Sequence, residues 1–276
     1  PPGVVPTVPN VAELVILYFP LQKIGAITIA ALVTHRFAEI NQFVQLSGAT
    51  ACFYPERQGD FEFEPMIRRV QAENPSLRYR LPLRQLQELI EKPSRLDPGE
   101  LRKIEIQPTD PCIFQLSGGT TGIPKLIPRT HNDYAYNSKA AAPVCGVTAD
   151  SVLLLALPIA HNLPLACPGI QGYFFQGGKV VLSPSTRPEE MFSLIESHRV
   201  THIKVVPALL IRLMGHAWSS CPRWPTRRRW PWRTLVCSPR RGSTPGARRC
   251  SCRPAWRSPP SCRFRPSSRR SSIWPP

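Results

Sequence analysis

From Gly215 to the end of the chain there is no lysine, no aspartate and no glutamate. The same stretch has 15 arginines, 11 prolines and 11 serines, and its only branched aliphatics are Leu235, Val236 and Ile273. So little apolar side chain cannot bury enough surface to offset the entropy of ordering the backbone, so residues 215–276 read as a disordered tail. Paired cysteines are also missing. Cys221, Cys237, Cys250, Cys252 and Cys262 lack the CxxC spacing of a strong zinc module. Long apolar runs are absent too. The best of them near the start, VAELVILYF, contains Glu13 and is too short to cross a bilayer, and no signal peptide is visible. The chain opens on Pro-Pro rather than Met, which leaves room for a start upstream.

The charge is unevenly placed. The whole chain has 35 Lys+Arg against 18 Asp+Glu, a formal charge of +17. At face value such a balance suggests a nucleic acid or another anionic partner. Before Gly215, however, 20 basic residues meet 18 acidic ones, so that part is nearly neutral. All six tryptophans lie in the tail. An arginine-rich segment that stacks bases on tryptophan is one reading of the tail. An out-of-frame reading of a GC-rich gene is another. It is favoured by the abrupt onset, the missing Lys, Asp and Glu, and a break in the middle of a helical pattern. Nucleic acid is therefore not the expected partner. Cys52, Cys112, Cys145 and Cys167 stand singly among apolar residues, as buried free thiols of a cytoplasmic protein do.

Residues 1–214 alternate between helical and strand patterns. Asn10, Glu13 and Gly25 frame a helix with Asn10 as its cap, and Pro20 inside it is a place for a kink. Strand patterns follow at 26–30, 49–54, 111–116, 125–130, 151–157, 179–183 and 201–206. Helical patterns fall at 35–48, 63–74, 131–145, 187–199 and from Pro207, with a loose helix over PLACPGIQGYFFQG. Thr130 or Asn132 caps the helix at 131. The stretch from about 82 to 110 reads as a helix plus a connecting loop. This order predicts an α/β fold with layered, mainly parallel sheets and flanking helices, and ligand loops at the carboxyl ends of strands.

One such end carries FQLSGGTTGIPKLIPRTH. It is not a Walker loop, because Lys125 follows a proline and leads into a strand rather than a helix. Its chemistry still suits phosphate. Gly118, Gly119 and Gly122 let backbone N–H groups close on an anion, Ser117, Thr120 and Thr121 add hydroxyls, and Lys125 adds charge. Glycine and threonine alone fit an ordinary flexible hairpin equally well.

The longer string IFQLSGGTTGIPKLIPRTHNDY resembles the phosphate-binding signature of the adenylate-forming superfamily, which comprises acyl-CoA synthetases, luciferases and peptide-synthetase adenylation domains. Leu126, in place of the usual glycine after Pro-Lys, makes KLIPRTH similar to the aryl-acid branch. That branch holds the 2,3-dihydroxybenzoate–AMP and salicylate–AMP ligases of siderophore assembly. LALPIAHNLPLACPG (155–169), PNVAELVILYFPLQKIGAI, THRFAEI and GGKVVLSPS agree, so the resemblance spans roughly residues 4–214. It implies a partial amino-terminal adenylation domain at 1–214. It also implies ATP and Mg2+ as reaction partners, an aryl acid as substrate and the phosphopantetheine thiol of an aryl carrier protein as acceptor. On this reading Ser117, Gly118, Gly119, Thr120, Thr121, Gly122 and Lys125 clamp the β- and γ-phosphates. Asn162 bonds the ortho hydroxyl of the acid, and His161 shapes the pocket beside it. Cys167 stands where dihydroxybenzoate enzymes carry serine, which favours salicylate, although Leu163 replaces the usual aromatic. A His-Asn pair at a strand end also fits simple helix capping, and Cys167 also fits a core thiol. The resemblance further implies a Mg2+-binding glutamate, a Thr-Gly-Asp motif and a small domain with a catalytic lysine. The sequence shows no counterpart of these, so a truncated and inactive form is expected. A general acyl-CoA ligase and a nucleic-acid binder acting through the tail are the competing functions.

Overall fold

The computed structural model describes residues 2–92, 97–117 and 124–220. Three strands form the centre of the first sheet: β1 (Gly3–Pro6), β2 (Ile27–Ile29) and β3 (Ala51–Tyr54). The sheet is completed by β6 (Tyr79–Pro82), β7 (Pro111–Leu116) and β8 (Leu126–Thr130), in the order β6-β3-β1-β2-β7-β8. All neighbours are parallel except β7 and β8, which pair antiparallel with Leu116 opposite Leu126. A small antiparallel pair, β4 (Arg57–Gln58) and β5 (Phe61–Glu62), stands apart. The second sheet is parallel, in the order β10-β9-β11, from β9 (Val152–Leu155), β10 (Lys179–Leu182) and β11 (His202–Lys204).

The helices are α1 (Ala12–Lys23), α2 (Phe37–Ser47), α3 (Phe63–Glu73), α4 (Leu83–Glu91), α5 (Pro98–Arg102), α6 (His131–Val144), α7 (Asn162–Ala166), α8 (Gly169–Phe175), α9 (Pro188–Ser197) and α10 (Pro207–Ser220). Central strands such as VLLL are apolar at every position because both faces are covered. Leu153 and Leu155 join one core with Tyr18, Ile113, Tyr134 and Ile170, which fills the space between the two sheets. Leu154, one residue out of step, packs with Met191, Leu209 and Leu213 of α9 and α10. The far face of the first sheet is closed by α2 and α3 through Ile40, Phe43, Phe63 and Ile67. The expected layered α/β architecture is therefore present.

Several local expectations are corrected. Asn10 does not cap α1. Val11 is the cap residue and offers no side-chain bond, and Glu13 accepts from Gln87 Nε2 instead. Pro20 lies inside α1, which continues to Lys23. The loose helix after His161 is two short ones, α7 and α8, with a cis Cys167–Pro168 bond between them. Of the two expected caps of α6, Thr130 is the one observed, accepting from the Asp133 N–H at 3.2 Å. Strands β1 and β6 add to those the patterns showed. Helix α10 runs through Met214 to Ser220, and residues 221–276 of the tail lie outside the described residues.

Candidate functional site

The carboxyl end of β7 carries the first part of the site. Ser117 N–H donates to Lys125 O at 3.0 Å, and the Ser117 hydroxyl oxygen accepts from Lys125 N–H at 2.9 Å. Ser117 thus ties the mouth of the loop with both backbone and side chain. Lys125 is exposed and runs into β8, so this is a strand–loop–strand cradle. Gly118, Gly119, Thr120, Thr121 and Gly122 lie outside the described residues.

The second part follows β9. The chain turns at Pro158–His161, where His161 N–H donates to Pro158 O at 3.1 Å. Asn10 holds this turn from the loop after β1: its Nδ2 donates to Leu157 O at 2.8 Å, and its Oδ1 accepts from Ile159 N–H at 3.0 Å. His161 occupies the cap position of α7 but makes no side-chain cap bond, so the capping alternative does not describe it. Burial holds its imidazole below the usual histidine range. Asn162 opens α7, and its Oδ1 is buried with no hydrogen-bond partner among the described residues. A buried acceptor left unpaired is costly, so such an atom marks either a flaw or a place for a ligand donor.

Cys167 closes this segment and is half-buried. Its carbonyl accepts from Lys204 Nζ at 2.8 Å, and the Ala166 carbonyl beside it lies 2.8 Å from Asn137 Nδ2 and 2.9 Å from Ser138 Oγ. The corner is tight. Gly169 has a φ of +51°, and a Cβ there would stand 2.4 Å from Pro164 O. A Cβ on Gly172 would meet Pro168 at 2.4 Å. Glycine at 169 lets α8 fold back against α7, and glycine at 172 lets it lie against Pro168 and α6.

The two parts meet through their neighbours. Tyr134 is fully buried, its hydroxyl accepts from Gln115 Nε2 at 3.0 Å, and Cys167 is near enough to help burial push its phenol upward. His35 lies in the loop after β2, and a proton on His161 would disfavour one on its ring. The structure therefore brings Ser117, His161, Asn162 and Cys167 to one region at the carboxyl ends of β2, β7 and β9. Asn10, Gln115, Tyr134 and His35 were not singled out from the sequence. All four lay inside the blocks that carry the resemblance, yet nothing in local periodicity marks any of them as part of a site.

A small apolar cavity of about 20 Å³ lies behind the site, lined in part by Leu14, Tyr18, Ala30, Ile113 and Leu165. A larger groove of about 660 Å³, lined in part by Val152, Lys179, His198 and Arg199, sits at the opposite, amino end of β9. It is remote from these residues and plays no part in the site. Among the described residues, no group of three or more His, Cys, Asp or Glu could hold a metal ion, and no helix is long and apolar enough to cross a membrane.

Comparison with known proteins places the chain in a family. The AMP-binding enzyme family matches residues 3–237. The 2,3-dihydroxybenzoate-AMP ligase of Bacillus subtilis is 38% identical over 214 residues, which are 78% of this chain and 40% of that protein. The salicyl-AMP ligase / salicyl-S-ArCP synthetase of Mycobacterium tuberculosis is 38% identical over 207 residues, 73% of this chain and 36% of that one. The apo structure of MbtA from Mycobacterium smegmatis superposes with a TM-score of 0.69 at 36% identity, covering 78% of this chain and 40% of that one. The chain thus spans about two fifths of the length of these relatives. On the match across residues 3–237, the chain belongs to the AMP-binding enzyme family, and it is similar there to the aryl-acid–AMP ligases.

Proposed function

We propose that this chain carries the aryl-acid pocket and phosphate cradle of an ATP-dependent aryl-acid–AMP ligase, acting on salicylate or 2,3-dihydroxybenzoate in siderophore and nonribosomal peptide synthesis. The observation that carries the reading is the buried, unpartnered Asn162 Oδ1 at the carboxyl end of β9. The ortho hydroxyl of such an acid is the donor that atom lacks. His161 stands beside it, neutral and without a competing cap bond. Cys167 borders the ring. Its thiol is a weak hydrogen-bonding group, which favours salicylate over an acid with a second hydroxyl.

In the reaction, the carboxylate attacks the α-phosphorus of ATP, giving an aryl-adenylate and pyrophosphate. The acyl group then passes to the phosphopantetheine thiol of an aryl carrier protein. The carboxylate is already ionised and needs no general base, so the work is positioning and charge stabilisation. Ser117 and Lys125 hold the mouth of the loop. With Gly118, Gly119, Thr120, Thr121 and Gly122 between them, they clamp the β- and γ-phosphates. Mg2+ accompanies ATP in this chemistry, but no described residues form a site for it, and no step here is routed through it. A cytoplasmic location, and a division at about residue 214 between an adenylation part and a tail, belong to the same reading.

Calorimetry with a hydrolysis-resistant salicyl-adenylate analogue tests it. One-to-one binding that a fatty-acyl-adenylate analogue does not match is the expected result. Equal binding of both would favour a general acyl-CoA ligase, and no binding of either would overturn the assignment.

A further inference from the structure

The loop after β2 is more firmly held than a connection requires. His35 N–H donates to Leu32 O at 3.0 Å, and Leu32 N–H donates back to His35 Nδ1 at 3.0 Å. Thr7 Oγ1 donates to Leu32 O at 2.9 Å. Arg36 Nη1 donates to Val33 O at 3.1 Å and His35 O at 3.0 Å, while its guanidinium stacks 4.1 Å from the centre of the Phe61 ring. The His35 ring stands edge-on to Phe43 at 5.2 Å.

These contacts decide the tautomer. A nitrogen that accepts from an amide N–H has no proton, so His35 Nδ1 is bare and the proton of the neutral ring sits on Nε2. Burial keeps the ring in that neutral form against a smaller opposing pull from Glu39, with weaker support from His161 and Arg36. The described residues form no hydrogen bond with Nε2. The loop leaves β2 beside β7, where Ala30 N–H donates to Phe114 O at 3.0 Å, three residues before Ser117.

We propose that His35 is a binding residue of the same site, its Nε2–H donating to an anionic oxygen of the bound substrates. Its position suits an oxygen of either the acid's carboxylate or the ATP phosphates, which share this chemistry. The inference rests on the aryl-adenylate reading of the site.

His35→Asn and His35→Gln separate the possibilities. The Asn Oδ1 takes the place of Nδ1 and can still receive the Leu32 amide, but the Nε2 donor is gone. The Gln amide restores a donor near Nε2 and loses the turn acceptor. With salicylate and ATP titrated separately into the full chain, His35→Asn is expected to keep the unfolding midpoint and lose roughly tenfold in affinity for one ligand. Loss for salicylate assigns the carboxylate, and loss for ATP the phosphates. Wild-type affinity for both in His35→Asn, with weakening only in His35→Gln, would overturn the proposal and leave His35 a turn residue. Nitrogen-15 spectra of the wild-type histidines give a check that needs no variant: the Nε2 resonance of His35 should move on adding the assigned ligand, and an unmoved resonance in a chain that binds it would also overturn the proposal. If the wild type binds neither ligand, the site reading itself fails, and this inference with it.

Discussion

Asn162 poses a conflict between stability and binding that one substitution can expose. Its Oδ1 is buried without a partner among the described residues. Leucine branches at the same atom and has no polar atom, so Asn162→Leu removes an unmet desolvation demand of about 1–3 kcal/mol. The variant is expected to unfold at a higher denaturant midpoint than the wild type while losing tenfold or more in salicylate affinity. A lower midpoint would mean that Asn162 serves the fold and not a ligand. Asn10 should behave in the opposite way. Its two hydrogen bonds fix the turn that presents His161. Asn10→Ala is expected to lower stability by about 1–3 kcal/mol and to weaken aryl-acid binding as well, measured on the same samples. The local sequence pointed to Asn10 as a helix cap, because an Asn before an apolar run reads that way. Its real partners lie 147 and 149 residues further on, and no local pattern carries that information.

At the scale of elements, the legible parts were those whose burial sets their composition. Strands such as VLLL and PCIFQL are apolar because both faces are covered, and their ends sit close to where the pattern placed them. β1 was missed because PPGVVPTVP carries four prolines. Yet the strand keeps only Pro6, at its last position, where a missing N–H does least harm. The α7–α8 corner was legible only as a loose helix, since the close approach that breaks it depends on Gly169 and Gly172 meeting their neighbours in space. Gly169→Ala puts a Cβ at a φ of +51° and 2.4 Å from a carbonyl oxygen that cannot rotate away. It should destabilise the protein by about 1–3 kcal/mol or more and shift the Cys167 end of the pocket, so affinity for salicylate falls too. A full-affinity variant with only a lowered melting temperature would detach this corner from the site.

Across the whole molecule, several partly desolvated imidazoles make stability depend on pH in a definite direction. His35, His131, His161 and His202 are all held below the usual histidine range, each mainly by burial. The folded chain therefore binds fewer protons than the unfolded one near pH 6, and stability rises with pH there. The contribution is complete above the unfolded histidine value of about 6.5 and is lost as pH falls toward the lowered folded values. Glu39, Glu64 and Asp133 extend the loss further down: backbone N–H groups lower the Glu39 carboxyl, the Tyr54 hydroxyl and then Arg68 and Arg80 lower that of Glu64 against its burial, and Arg129 lowers that of Asp133. His161 is the most exposed of the four histidines and should contribute least. Urea midpoints measured at intervals from pH 8 to pH 4 should be level above about pH 7 and then fall in two stages, histidines first and carboxylates second. His35→Asn removes one of these titrating groups while keeping the turn acceptor, so the first stage should become shallower in that variant. A midpoint that rises on acidification through pH 6 would require these rings to gain protons on folding. That would contradict the lowering that burial gives these four rings.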